Sequence, residues 1–169
     1  MATLPTTTPR CLAGFSTRAV PVTAAALPGG LAFTAFALAC PCGGNQWTIV
    51  GHHYSPGGNE AALVGPVALR CAACARELPL IDTDVHGYDG EHGDSCATSG
   101  DGPRGAWACP RCGTTPAPVV AAFGYQYEDP EPGTAWAHRL HDLFDAFVLA
   151  HRCAAGGGRP VVVATFKCA

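Results

Sequence analysis

The pairing of the cysteines limits this chain more than any other feature. Ten cysteines occur in 169 residues, and six fall in three close pairs: Cys40-Pro-Cys42, Cys71-Ala-Ala-Cys74 and Cys109-Pro-Arg-Cys112. Thiols so near in sequence bridge distant elements poorly but make good chelating half-sites. A tight turn aims both sulfurs at one point, and two such turns face to face supply the tetrahedron that Zn²⁺ prefers. In an oxidising compartment the same pairs could be disulfides, and a lone C-x-x-C could be a redox pair. Several pairs in Gly/Pro-rich turns favour metal, and thiolate ligands imply a reducing compartment, most simply the cytoplasm.

Composition agrees with short elements. The 21 glycines and 15 prolines make up more than a fifth of the chain, which predicts many turns. Hydrophobic residues at 48% suffice for a packed core, while charged residues reach only 14%. The net charge of −3 and a pI near 6.1 give no global attraction to nucleic acid or anionic lipid. No apolar run reaches about 18 residues without Pro or Gly, which argues against a transmembrane helix and a long coiled coil. Leu31–Cys40 superficially resembles the end of a lipoprotein signal, but Pro21, Pro28, Gly29 and Gly30 interrupt the stretch upstream and Ala37 stands three before the cysteine. Residues 1–30 read as a loosely packed N-terminal arm.

A short repeat organises the rest. Phe33–Cys42 aligns without gaps on Phe144–Cys153, both as F-x-A-F-x-L-A-[C/H]-x-C. Each copy runs through small residues into an apolar stretch, Trp47–Val50 or Val161–Phe166, with the β-branched and aromatic residues of strands. Val64–Arg70 and Glu77–Ile81 flank the second pair, and Trp107-Ala108 and Pro118–Tyr127 flank the third. The expected fold is mainly β: four hairpins, each tipped by a metal-binding knuckle, duplicated as two halves. A short helix is expected near 135–142, with Thr134 as its N-cap, giving way to a strand by Phe144. Helical spacing of Leu140, Phe144 and Phe147 keeps a longer helix through His151 open. The expected divisions are 31–84 and 105–169, packed as one body, joined by an acidic stretch over 85–104.

Two metal sites follow. Cys40, Cys42, Cys71 and Cys74 form the first, an arrangement that resembles the zinc ribbon over about residues 33–83, with a C-x-C half tighter than the usual C-x-x-C. Four thiolates leave no open position, so such a site is structural. Cys109 and Cys112 supply one knuckle of the second. In the repeat Cys153 aligns with Cys42 and His151 with Cys40, giving a three-cysteine, one-histidine set. Cys168 is the alternative fourth ligand, and Cys11 and Cys96 have no assigned role. The order of the knuckles looks exchanged between the two halves.

Seven of the thirteen acidic residues lie between Glu77 and Gly102, with no Lys or Arg among them. Asp82, Asp84 and Gly87 match the start of a calcium loop, but Gly93 replaces its bidentate glutamate. This stretch reads as a solvated loop, as a partner surface formed by Asp82, Asp84, His86, Tyr88, Asp89, Glu91, His92 and Asp94, or as a second-metal or catalytic site. His52 and His53 are neighbours on a strand and so point to opposite faces. No P-loop, nucleophile elbow, dinucleotide fingerprint or HExxH occurs. The sequence supports a zinc-binding module or subunit with a protein partner. A nucleic-acid-binding zinc ribbon and a metal-dependent enzyme using residues 82–94 are the alternatives.

Overall fold

The computed structural model describes residues 4–22, 31–53, 63–92, 103–126, 138–153, 155 and 160–168. Among these the chain forms nine strands: β1 Ser16–Ala19, β2 Ala32–Ala39, β3 Trp47–His53, β4 Leu63–Cys71, β5 Glu77–Ile81, β6 Arg104–Ala106, β7 Val119–Tyr125, β8 Ala146–Arg152 and β9 Pro160–Lys167. They build two antiparallel sheets, one ordered β1-β2-β7-β8-β9 and the other β5-β4-β3-β6. Alternate side chains of both sheets meet in one core. Trp47, Ile49 and Leu69 come from one sheet, and Phe36, Phe123, Phe147, Leu149 and Phe166 from the other. Phe123 sits centrally, with edge-on contacts to Phe36, Phe144 and Phe147 at 6.1, 4.9 and 5.3 Å.

The two halves interleave. After β2 the turn Cys40–Gly44 carries the chain from the five-stranded sheet to the four-stranded one, where β3, β4 and β5 form a meander. After β6 the turn Cys109–Gly113 makes the reverse crossing, and β7, β8 and β9 form the matching meander. Each half therefore lends its first strand to the other's sheet: β2 pairs with β7, and β6 with β3. The registers superpose these halves residue by residue. Ile49 faces Leu69 as Val119 faces His151, and Val50 faces Ala106 as Val120 faces Ala37. Trp47 and Ala117 are then equivalent, and they pair with each other through Trp47 N–H to Ala117 C=O at 2.9 Å and the reverse bond at 3.1 Å. A self-complementary pair of this kind is what a two-fold axis produces.

Four expectations change. Only β4–β5 and β8–β9 are knuckle-tipped hairpins; the other two knuckles are crossings between sheets. The F-x-A-F repeat equates β2 with β8, whereas the registers equate β2 with β6 and β8 with β4. Both β2 and β8 flank β7 and face the same demand, phenyl groups inward and small residues outward, so their sequences converge without topological equivalence. The knuckle order is thus the same in both halves. Near 135–142 the described residues form a 3-10 turn at Leu140–Asp142 in place of an α-helix, and the strand expected from Phe144 onward is β8, Ala146–Arg152, so the longer helix through His151 does not form. Strand β8 is buried on both faces over Ala146–Leu149, which hides the strand period. Finally, part of the N-terminal segment is built in: Arg10–Leu12 is a 3-10 turn, β1 pairs with β2, and Cys11, Leu12 and Phe15 are buried in the core.

Candidate metal centres

The first centre joins a crossing to a hairpin tip. In the crossing, Gly43 N–H donates to Cys40 C=O at 2.8 Å and Cys40 N–H to Gly44 C=O at 2.7 Å. This turn needs φ of +90° at Gly43, which glycine adopts without a Cβ penalty. At the hairpin tip, Ala75 N–H donates to Cys71 C=O and Cys71 N–H to Arg76 C=O, both at 2.9 Å. Cys40, Cys42, Cys71 and Cys74 consequently place their sulfurs within 4.8 Å of one another. The Cys40–Cys74 and Cys42–Cys71 separations are both 3.7 Å. A tetrahedron with Zn–S bonds of about 2.3 Å has edges of about 3.8 Å, so the spacing fits. Cys40 and Cys71 are buried while Cys42 and Cys74 are exposed, and a cleft of about 320 Å³ opens over Cys40, Pro41, Cys42, Cys74 and Arg76.

Crowding splits these thiols. Burial opposes ionisation of Cys71, yet the N–H groups of Cys74 and Ala73 and the neighbouring thiols hold it down to about 7. Cys40 receives the Cys42 N–H, but burial and its three thiol neighbours push it up to about 12. A cation among the four removes the conflict, since each thiolate then faces positive charge.

The second centre gathers Cys109, Cys112 and Cys153, again with sulfurs within 4.8 Å. Cys112 Sγ lies 3.3 Å from Cys153 Sγ and 2.7 Å from Thr114 Oγ1. The Thr114 hydroxyl and N–H, with Cys153, hold the Cys112 thiol down to about 6. The knuckle repeats the first: Gly113, at φ +67°, donates its N–H to Cys109 C=O at 2.7 Å.

His151 is not brought to these sulfurs. It occupies the register position of Leu69 and points into the core, 1% exposed, with its ring 5.1 Å from Trp107 in an edge contact. Burial lowers its pKa, and Nε2 has no hydrogen-bond partner among the described residues. Cys168 is not there either. It lies at the far end of β9, where its N–H donates to Asp145 C=O at 2.7 Å and Cys11 is its neighbour. Cys96 lies outside the described residues. None of the nine described cysteines is in a disulfide.

The true internal repeat was present in the sequence. Ala37-Leu-Ala-Cys-Pro41 matches Ala106-Trp-Ala-Cys-Pro110, and Ala68-Leu-Arg-Cys-Ala-Ala73 matches Ala150-His-Arg-Cys-Ala-Ala155. Cys40 thus corresponds to Cys109 and Cys71 to Cys153, while the place of Cys74 is taken by Gly156.

The described part of the acidic stretch, residues 82–92, lies elsewhere, at the opposite end of the sheets from the knuckles. Within it Gly87–His92 forms a short helix, α1. Tyr88 N–H donates to Phe144 C=O at 3.0 Å and Asp89 N–H to Cys168 C=O at 2.8 Å. Asp82 accepts from Asp84 N–H at 3.1 Å, and the Asp82 N–H lies 3.1 Å from His86 Nδ1. Glu91 pairs with Arg10 and Arg139, and the buried Asp142 pairs with Arg10 Nε at 2.8 Å. Within the described residues 82–92, Glu91 is therefore paired with two arginines, and none of these residues joins either cysteine group. Among the described residues the two cysteine groups are the ones that bring three or more ligating atoms together. The side chain of His92 and residue Asp94 lie outside the described residues, while Asp84, Val85 and Tyr88 are exposed.

No described helix is long and apolar enough to cross a membrane. Comparison with protein-family models, with curated proteins and with solved structures returns no match for this chain.

Proposed function

We propose that this chain is a two-zinc protein of a reducing compartment, most simply the cytoplasm, and that it works as a protein-binding module or subunit. The observation that carries the reading is the convergence of four thiols from a sheet crossing and a hairpin tip on one point, at tetrahedral spacing. Soft thiolates at that spacing select zinc over harder cations. In the first centre the metal has four protein ligands and stabilises the junction between sheets; it has no protein-side position left for chemistry. A partner surface is supported by the exposed side chains of the 82–92 segment, Val85 at 55% and Tyr88 at 44% exposure beside Asp84. Nucleic acid is disfavoured because Arg10, Arg70, Arg104 and Arg139 already pair with carboxylates.

Elemental analysis of natively purified protein tests the metal reading and should return two zinc per chain. Removing zinc with a chelator should abolish cooperative unfolding, because thiolate ligation of this type is coupled to folding by about 10 kcal/mol or more. Metal-free protein with an unchanged melting transition would end this reading. For the partner surface, a Val85→Ser, Tyr88→Ser variant should retain both zincs and its stability but lose binding.

A further inference from the structure

We propose that the metal held by Cys109, Cys112 and Cys153 keeps its fourth coordination position for a thiolate supplied from outside the chain. The inference rests on the reading that this centre holds zinc. Its first support is the two-fold relation between the halves. Three of the four ligands of the first centre have cysteine counterparts in the second, and the fourth, Cys74, has Gly156. The replacements offered by sequence are engaged elsewhere. His151 takes the core slot of Leu69 against Trp107. Cys168 is separated from Cys153 by the length of β8, about 20 Å at 3.3 Å per residue, and its backbone is fixed by Asp145 and Asp89.

The second support is the direction of the opening. Cys74, the ligand without a counterpart, is exposed in the first centre, whereas Cys71, the counterpart of Cys153, is buried. Cys112, the counterpart of the exposed Cys42, is only half-buried, so the outer side of the second centre also reaches solvent. The knuckle beside it differs from that of the first centre by one inserted residue, the exposed Arg111, and Thr114 Oγ1 already supports Cys112 Sγ at 2.7 Å. An arginine and a hydroxyl suit a centre whose negative charge grows when a further thiolate binds.

The chemistry selects the ligand. Three thiolates make zinc a soft acceptor, and a fourth sulfur completes the set found in the first centre. Binding exchanges one ligand for another: a thiol loses its proton to solvent, its sulfur bonds to zinc, and the water in that position leaves. No electrons are transferred. A small-molecule thiol and the cysteine of a partner protein offer the same donor.

The test uses the full chain loaded with ¹¹³Cd, which gives one magnetic resonance signal per centre and separates four-sulfur from three-sulfur, one-oxygen coordination. In thiol-free buffer we expect one signal of each kind. Adding 2-mercaptoethanol should move the second signal into the four-sulfur region and leave the first unmoved. A short cysteine peptide in place of 2-mercaptoethanol separates the sources: a shift with both admits a protein cysteine, and a shift with the small thiol alone restricts the site to small molecules. The matching serine peptide should move neither signal. Gly156→Cys should give two four-sulfur signals without added thiol and abolish the response. Two four-sulfur signals in the unmodified chain would overturn the proposal, with Cys96→Ser then reverting one of them. A three-sulfur signal indifferent to millimolar thiol would overturn it as well. One metal per chain would instead refute the underlying two-zinc reading.

Discussion

Gly44→Ala is a sensitive test of the first centre, because the added methyl group has nowhere to go once metal is bound. A Cβ built on Gly44 lies 2.9 Å from Cys71 Sγ, 3.0 Å from Ala73 Cβ and 3.5 Å from Cys42 Sγ. Comfortable contacts are about 3.5–4.0 Å, so two neighbours must yield by about half an ångström. A thiol without metal can rotate away, but a thiolate held about 2.3 Å from zinc cannot. The strain therefore falls on the loaded state. Overpacking of this kind costs about 1–3 kcal/mol, which weakens zinc binding roughly 5- to 150-fold. Competition against a chromophoric chelator measures it, with the zinc of the second centre as an internal reference. Gly43→Ala is the control. Its Cβ meets nothing within 4 Å, so it adds only left-handed backbone strain of about 1–2 kcal/mol and gives the loss of affinity expected from the turn alone, without a clash against the ligand sulfurs. Zinc affinity in Gly44→Ala within twofold of the unmodified chain would refute the close packing of Gly44 against Cys71.

Three further outcomes follow from single contacts. His151→Leu should retain both zincs and melt at the same temperature or higher, because it recreates the Leu69 environment and removes a buried nitrogen without a partner; loss of one zinc equivalent would restore His151 as a ligand. Glu77→Gln should lower stability by about 0.2–1 kcal/mol per lost pair, since Glu77 accepts from Arg70 at 2.9 Å and Arg104 at 2.6 Å. These bonds lower its pKa below 4.5, so the stabilisation is complete above that value and is lost as pH falls through the lower native one; denaturant titrations should converge for variant and parent at acid pH. Trp47→Phe should cost about 1–3 kcal/mol, because the indole N–H donates to Leu38 C=O at 2.9 Å inside the core and the carbonyl is left unpaired, as chemical denaturation would show.

The cysteine groups that could hold a metal were legible because chelation depends on local spacing. Cys40, Cys42, Cys71 and Cys74 announce their half-sites without reference to the fold, and the strand character of Trp47–Val50 and Val161–Phe166 is carried by their own β-branched residues. The wiring was not legible. Similar environments beside β7 made β2 and β8 look like copies, while the topological copies share only short alanine-rich matches around Cys40 and Cys109 and around Cys71 and Cys153. His151 was misplaced for this reason: its fate depends on which strand it is equivalent to, and that is a property of register. Helix α1 carries two glycines and no apolar period. It forms through tertiary contacts at Phe144 and Cys168, with Gly87 at φ +84° where a Cβ would meet Cys168 Cβ at 2.5 Å.

The interleaving of the halves has a consequence for how the chain can assemble. Each metal centre lies within one half, but each sheet needs a strand from the other, so a cut between Glu91 and Arg104 would yield two fragments that each lack an edge only the other can supply. Such fragments should be weakly ordered apart and should reconstitute when mixed. The same wiring permits two intact chains to trade halves, so that the β2–β7 and β3–β6 pairings form between molecules while each sulfur cluster stays within one chain. The contacts are identical in the two arrangements, which leaves protein concentration during folding to govern their proportions.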